Sequence, residues 1–296
     1  MQARKGFSIW RYSVVMPCLL LVLSIALPAY NANSGEPAND EEEALTLGYF
    51  PLISTVALFK RFAPLRDYLA ESLGRPVILQ TAKDFSTFVE RSDDRAYDIL
   101  VTAPHFALRA SDSGEYRIRA TLVENVQQLV VVREDSKITH LTELAGKRVS
   151  TPPRRALMTM MGVQHLIDAG LIGDQTPTYL DFTSHNAANE AVLAKEVDAA
   201  IASSNIIRKA IERGESLRII SLGLQLPNMA TMVAMDLDDE IGERLVDILL
   251  GMNDSEKGRE ALKRIRFTGY RRVNDADYEA ARPYMRQGTA ALRKTN

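Results

Sequence analysis

Cysteine is almost absent: Cys18 is the only one in 296 residues. It lies inside an apolar run, Val14 to Leu27, which follows Arg4, Lys5 and Arg11 and precedes the small residue Ala29. Positive, then apolar, then small is the order that the export machinery reads as a signal peptide. The run is shorter than the ~20 residues of a spanning helix, and Val15-Met16-Pro17-Cys18 is a poor lipoprotein cleavage box. The expected boundary lies near residue 30, with Ala29 or Ala32 at the cut, and a retained anchor through an uncleaved signal is the alternative. Once the signal is removed no cysteine remains, which excludes disulfides, thiolate metal sites and thiol catalysis.

Histidine is also scarce. His105, His140, His165 and His185 are the four in the chain, and none has an H-x-x-x-H or H-E-x-x-H spacing for metal. A G-x-S-x-G elbow, a phosphate-binding P-loop and a G-x-G-x-x-G after a strand are all missing. The acid pairs Asp93-Asp94 and Asp238-Asp239 fall in polar, turn-like stretches and are expected to face solvent. A binding protein without catalytic residues, metal or cofactor is therefore expected rather than an enzyme. The formal net charge of -2 gives no reason to expect nucleic acid as the partner.

What the chain does have is alternation of strands and helices. Residues 31–44 carry Ser34, Gly35, Pro37 and a cluster of acids, the composition of a solvated leader. Leu45, Leu47 and Tyr49 alternate with Thr46 and Gly48 and predict a strand ending at Pro51. Ser54 or Thr55 can cap a helix with Phe59, Phe62, Leu69 and Leu73 on its apolar face, stopped by Gly74 and Pro76. Strands are predicted at Val77–Gln80 and Asp98–Val101. A short helix from Asp84 separates them, and another opens at Pro104. This β-α-β-α-β order implies a mainly parallel sheet.

The order then repeats. Lys147–Ser150, Thr178–Phe182 and Val197–Ala202 read as strands. Helices follow them from Pro152-Pro153, from Asn186 and from Ile206. Asp98-Ile99-Leu100-Val101-Thr102, leading to Ala110, matches Asp198-Ala199-Ala200-Ile201-Ala202, leading to Ala210, at equal spacing. Between the halves, Gln127–Arg133 and Leu217–Leu222 read as strands that cross over and back. Thr231–Met235 is a further strand, and helices from Glu240, Ser255 and Asp275 close the chain. The expectation is a two-lobed α/β protein, with residues 45–127 plus 228–296 as lobe one and 128–227 as lobe two.

Ligands of open parallel sheets bind beyond the carboxyl ends of the strands. That rule selects Tyr49, Phe50, Thr102 and His105 from lobe one. From lobe two it selects Ser150, Thr151, Ser184, His185, Ser203, Ser204 and Asn205. The set is rich in hydroxyls, amides and imidazoles and lacks acids, and several members precede helix starts, where free N–H groups and the dipole favour an anion. Each also has a structural explanation: a hydroxyl before a helix is an ordinary N-cap, Tyr49 and Phe50 can pack under a loop, and a lone histidine is commonly a surface or satisfied one.

These segments resemble the phosphonate/phosphite/phosphate-binding periplasmic proteins, the solute receptors of ABC importers. The likeness runs through Leu47-Gly48-Tyr49-Phe50-Pro51, Tyr68-Leu69, Leu73-Gly74-Arg75-Pro76-Val77 and Tyr97 to Pro104. It continues through Leu141 to Lys147, Thr183-Ser184-His185-Asn186-Ala187-Ala188 and Glu196 to Ala200. The resemblance implies a type II periplasmic binding protein fold and a small oxyanion held in the cleft. Ser150 and Thr151 would hold its charged head, with Tyr49, His185 and Asn205 at the family's other ligand positions. It also implies an ABC permease as partner and a monomer. A sensing subunit that works with a membrane kinase is the alternative. Pro152 and Pro153 depart from the family's Ser/Thr-rich helix start and remove N–H donors. Phe106 stands where a tyrosine hydroxyl is usual. Arg154 and Arg155 are expected to be solvated rather than ligand-facing, with Arg154 the charge available to compensate.

Overall fold

A computed structural model describes residues 43–285, so the apolar run and the cleavage positions lie outside the described residues. In chain order the first half forms β1 (Leu45–Tyr49), α1 (Thr55–Leu73), β2 (Val77–Gln80), α2 (Phe85–Asp93), β3 (Ile99–Thr102), α3 (Pro104–Asp112) and β4 (Tyr116–Leu122). The middle forms β5 (Val126–Arg133), β6 (Arg148–Thr151), α4 (Leu157–Asp168), β7 (Thr178–Asp181), α5 (His185–Leu193), β8 (Ala199–Ser203), α6 (Ser204–Glu212) and β9 (Leu217–Leu226). The chain then returns through β10 (Ala230–Ala234), α7 (Asp239–Leu250), α8 (Glu256–Ile265) and β11 (Tyr270–Arg272). No described helix is long and apolar enough to cross a membrane.

The strands make two sheets, one of six strands in the order β11-β4-β10-β3-β1-β2 and one of five in the order β7-β6-β8-β5-β9. The parallel part of each sheet is the expected β-α-β-α-β unit: β2-β1-β3 in lobe one and β7-β6-β8 in lobe two. The remaining pairs are antiparallel and come from the strands around the crossovers. β5 and β9 pair with each other inside the second sheet, so the crossing itself falls in the short links 123–125 and 227–229.

These links are tied to lobe one. Asn228 donates its side-chain amide to the Glu124 carbonyl at 3.2 Å, Thr121 donates to the Met229 carbonyl at 3.0 Å, and Tyr278 donates to the Asn228 carbonyl at 2.9 Å.

The repeat seen in the sequence is a repeat of hydrogen bonds. Asp98 accepts from the Thr46 N–H at 2.7 Å, joining β3 to β1, and Asp198 accepts from the Arg148 N–H at 2.9 Å, joining β8 to β6. Asp84 caps α2 through Thr87 and Ser184 caps α5 through Ala187. By this correspondence Phe85 matches His185, and His105 matches Asn205.

Helix α1 differs from expectation in its face. Leu58, Phe62, Leu65, Leu69 and Leu73 are buried, an i, i+3/i+4 series, whereas Phe59 lies a residue off that stripe and is 37% exposed. Ser54 stands at the N-cap without a side-chain bond, and Gly74 ends the helix at φ 76°, where a side chain would be strained. β4, not anticipated, carries its own signal: Tyr116, Ile118 and Ala120 are buried and alternate with Arg117 and Arg119.

Candidate functional site

The two parallel units end facing one cleft, and the side chains at their carboxyl ends meet different fates. Tyr49 is 2% exposed and stacks on Phe62 with ring centroids 3.8 Å apart; burial above all pushes its hydroxyl's pKa well up, with Tyr270 adding to the effect and Arg61 opposing it. Phe50 joins Phe85, Phe88 and Phe106 at centroid distances of 4.5, 5.5 and 5.5 Å. Phe106 is thus part of an apolar wall rather than a donor. Thr102 is buried at the end of β3, opposite Ala230. His105, in the first turn of α3, is buried against Phe106 at 3.9 Å, and neither ring nitrogen has a hydrogen-bond partner among the described residues.

In lobe two, Ser150 is fully buried and donates to the Ala188 carbonyl at 2.7 Å, with Ala199 at 3.3 Å. Its hydroxyl proton is committed inside the lobe, in the place that Gly48 occupies in lobe one. Thr151 donates to Asp181 Oδ1 at 2.6 Å. Ser184 spends its oxygen on the α5 cap, leaving the amides of His185 and Asn186 ahead of the first intrahelical bonds. His185 is half-buried, and among the described residues neither its Nδ1 nor the Oδ1 of Asn189, one turn on, has a partner. Ser203 is buried at the end of β8, Ser204 accepts the Gln127 N–H at 3.1 Å, and Asn205 is half-buried in the first turn of α6.

The expected helix at Pro152-Pro153 is corrected: α4 begins at Leu157, after a turn. Two prolines in succession supply no N–H and bias the residue before each away from the helical region. Thr159 folds the turn back by donating to the carbonyls of Pro152 at 3.0 Å and Pro153 at 3.1 Å. Thr151 therefore does not sit at a helix start, and the helix-dipole argument belongs to α5 and α6 instead.

The turn delivers two arginines that the strand-end rule omitted. Arg154 Nε and Nη2 both lie 2.9 Å from Asp181 Oδ2, and Arg155 Nη1 donates across the cleft to Ser86 Oγ at 2.8 Å. Behind them, Leu157, Met158, Met160 and Met161 belong to the same apolar cluster as the lobe-one core. One turn thus carries two arginines and a bridge between the lobes. The doubled arginine after the prolines was the available signal. Asp181, the last residue of β7, falls inside the strand predicted over Thr178–Phe182, where the strand-end rule does not reach it.

Burial pushes the pKa of His105 down to about 3 and that of His185 down to about 4, so both rings are neutral near neutral pH. A neutral imidazole offers one N–H donor and one acceptor nitrogen and carries no charge. The sign for stability follows: the unfolded chain takes up these protons near the ordinary 6.5, the folded chain only near 3 to 4. Stability is full above ~6.5 and is lost as pH falls, by at most ~1.4 kcal/mol per unit per ring. Acid titration of the melting temperature should fall more gently in His105→Phe than in wild type. Superimposable profiles would show that His105 is not held neutral.

This is the arrangement of a two-lobed solute receptor, with two α/β units hinged by paired crossovers and polar strand ends facing across a cleft. Comparison with known proteins agrees. Residues 47–278 match the family described as ABC transporter, phosphonate, periplasmic substrate-binding protein. The chain belongs to that family, whose members are binding proteins of importers and not enzymes, and which carries the periplasm as its compartment.

Solved structures share the fold at low identity. XAC2383 from Xanthomonas citri, solved with ATP, has a TM-score of 0.66 at 18% identity, covering 85% of this chain and 97% of that one. PA3383 from Pseudomonas aeruginosa, a binding protein component of an ABC phosphonate transporter, has a TM-score of 0.65 at 16% identity, covering 85% and 97%. PhnD1 from Prochlorococcus marinus, in complex with methylphosphonate, reaches 0.70 at 13% identity, covering 82% and 97%.

Proposed function

We propose that the mature chain, exported with loss of the segment before about Asn31, captures a small oxyanion between its lobes and presents it, as a monomer, to an inner-membrane ABC permease. The lobes divide as residues 45–127 plus 228–296 and 128–227. The observation that carries this reading is the β6–α4 turn, which joins Arg154 to Thr151 through Asp181 and links Arg155 to lobe one through Ser86.

Arg155 and Arg154 would supply charge-assisted donors. His185, the α5 amides and Asn205 would complete the lobe-two side. Phe50 and His105 would line lobe one, with Tyr49 behind them. Phosphonate, phosphite and phosphate share the tetrahedral head that such donors fit, and the neighbours solved with methylphosphonate and ATP carry phosphorus oxyanions as well.

A site split between hinged lobes implies closure on binding. Small-angle scattering of the mature protein should give a smaller radius of gyration with saturating methylphosphonate or inorganic phosphate than without. An unchanged radius in the presence of a bound oxyanion would rule out hinge closure and leave a rigid receptor.

A further inference from the structure

Thr151 and Asp181 are register partners at the ends of neighbouring strands β6 and β7. Thr151 is fully buried, and its hydroxyl fixes one carboxylate oxygen of Asp181 at 2.6 Å, while the other oxygen lies 2.9 Å from Arg154. The Asp181 side chain is 33% exposed and that of Arg154 81% exposed, so both reach solvent at the cleft end of the sheet. The chain thus presents a donor and an acceptor side by side, with no net charge between them. An ionised carboxylate only accepts hydrogen bonds.

An oxyanion without a proton would gain Arg154 but set its own lone pairs against those of Asp181. An oxyanion that keeps one proton fits both: its bare oxygen accepts from Arg154 and its hydroxyl donates to Asp181. We propose that Asp181 is a specificity-determining residue, selecting oxyanions that carry an acidic hydroxyl, such as monoprotonated phosphate or a phosphonate, over those that carry none, such as sulfate. This rests on the oxyanion reading of the cleft and adds to it the position of the ligand's proton.

Calorimetry of inorganic phosphate, methylphosphonate and sulfate on wild type and Asp181→Asn tests it, with melting curves to confirm that both are folded. Asparagine keeps an oxygen for Thr151 and offers the cleft an N–H. Wild type should bind phosphate and methylphosphonate at least about tenfold more tightly than sulfate. In the variant that preference should shrink to within about threefold, mainly through a gain in sulfate affinity.

A second readout is the pH dependence of methylphosphonate binding. In wild type, affinity should fall as methylphosphonate loses its last proton, and in Asp181→Asn it should not. An unchanged phosphate-to-sulfate ratio, or loss of all three anions by a folded variant, would overturn the role of Asp181 alone. Failure of all three to bind either protein would overturn the oxyanion reading with it.

Discussion

The double variant Arg154→Gln, Arg155→Gln should bind inorganic phosphate and methylphosphonate at least about a hundredfold more weakly than wild type while remaining folded. A hydrogen bond to a charged group is worth ~1.5–3 kcal/mol, and two such losses span that factor and more. Little stability should go with them. The Arg154–Asp181 pair is mostly on the solvent side, where ion pairs contribute about 0–1 kcal/mol, and Arg155 meets lobe one through a single hydroxyl. The measurement is calorimetry beside a melting curve. Undiminished affinity in the folded double variant would place the anion away from the β6–α4 turn.

The largest stability effect is expected at two glycines that carry no ligand. A Cβ at Gly48 would stand 2.4 Å from Tyr97 Cγ, and one at Gly162 would stand 2.3 Å from Ile201 Cγ2. Neither neighbour can retreat. Tyr97 is fully buried and stacks on Phe88 at 5.2 Å, and Ile201 is fully buried in β8, a central strand. Overpacking of this kind costs ~1–3 kcal/mol or more, and in a chain of this size each kcal/mol lowers the melting temperature by about 2–4 °C. Gly48→Ala and Gly162→Ala should each therefore melt about 5–10 °C below wild type. A change within a degree or two would mean that the ring or the isoleucine yields, and that the packing of β1 on Tyr97, or of α4 on β8, is looser than described.

How legible the fold was depended on whether the signal was local. The acid, apolar strand and small turn of Asp98–Thr102 and Asp198–Ala202 marked two equivalent units because each acid serves the strand beside it in the same way. Chain order and alternation sufficed for β1, β2 and β3. The β4 alternation was equally local, but Arg117 and Arg119 give it the look of a polar stretch. Their charges instead pair along α7, where Arg117 meets Asp239 at 2.8 Å and Arg119 meets Glu243.

The site was harder to read because its chemistry is decided by partners far away in sequence. Ser150 has the right residue type at a strand end, yet its proton goes to a carbonyl 38 residues later, and nothing near Ser150 announces that. Thr151 has an acid beside it only because β6 and β7 pair in that register. Pro152 and Pro153 read as a loss of donors; that they also delay the helix to Leu157, and so bring Arg154 to Asp181 and Arg155 to Ser86, needed the fold. The histidines illustrate the same limit. Imidazole was foreseen at His105 and His185, but burial, which makes both rings neutral, is a property of what surrounds them.

The most direct measurement is a calorimetric titration of the wild-type mature protein with methylphosphonate and with inorganic phosphate, against neutral and cationic solutes of similar size. Saturable binding of one oxyanion per chain, about micromolar or tighter, and no binding of the neutral and cationic solutes, is the expected result. Binding of a neutral or cationic solute, with no heat from either oxyanion, would contradict the oxyanion receptor.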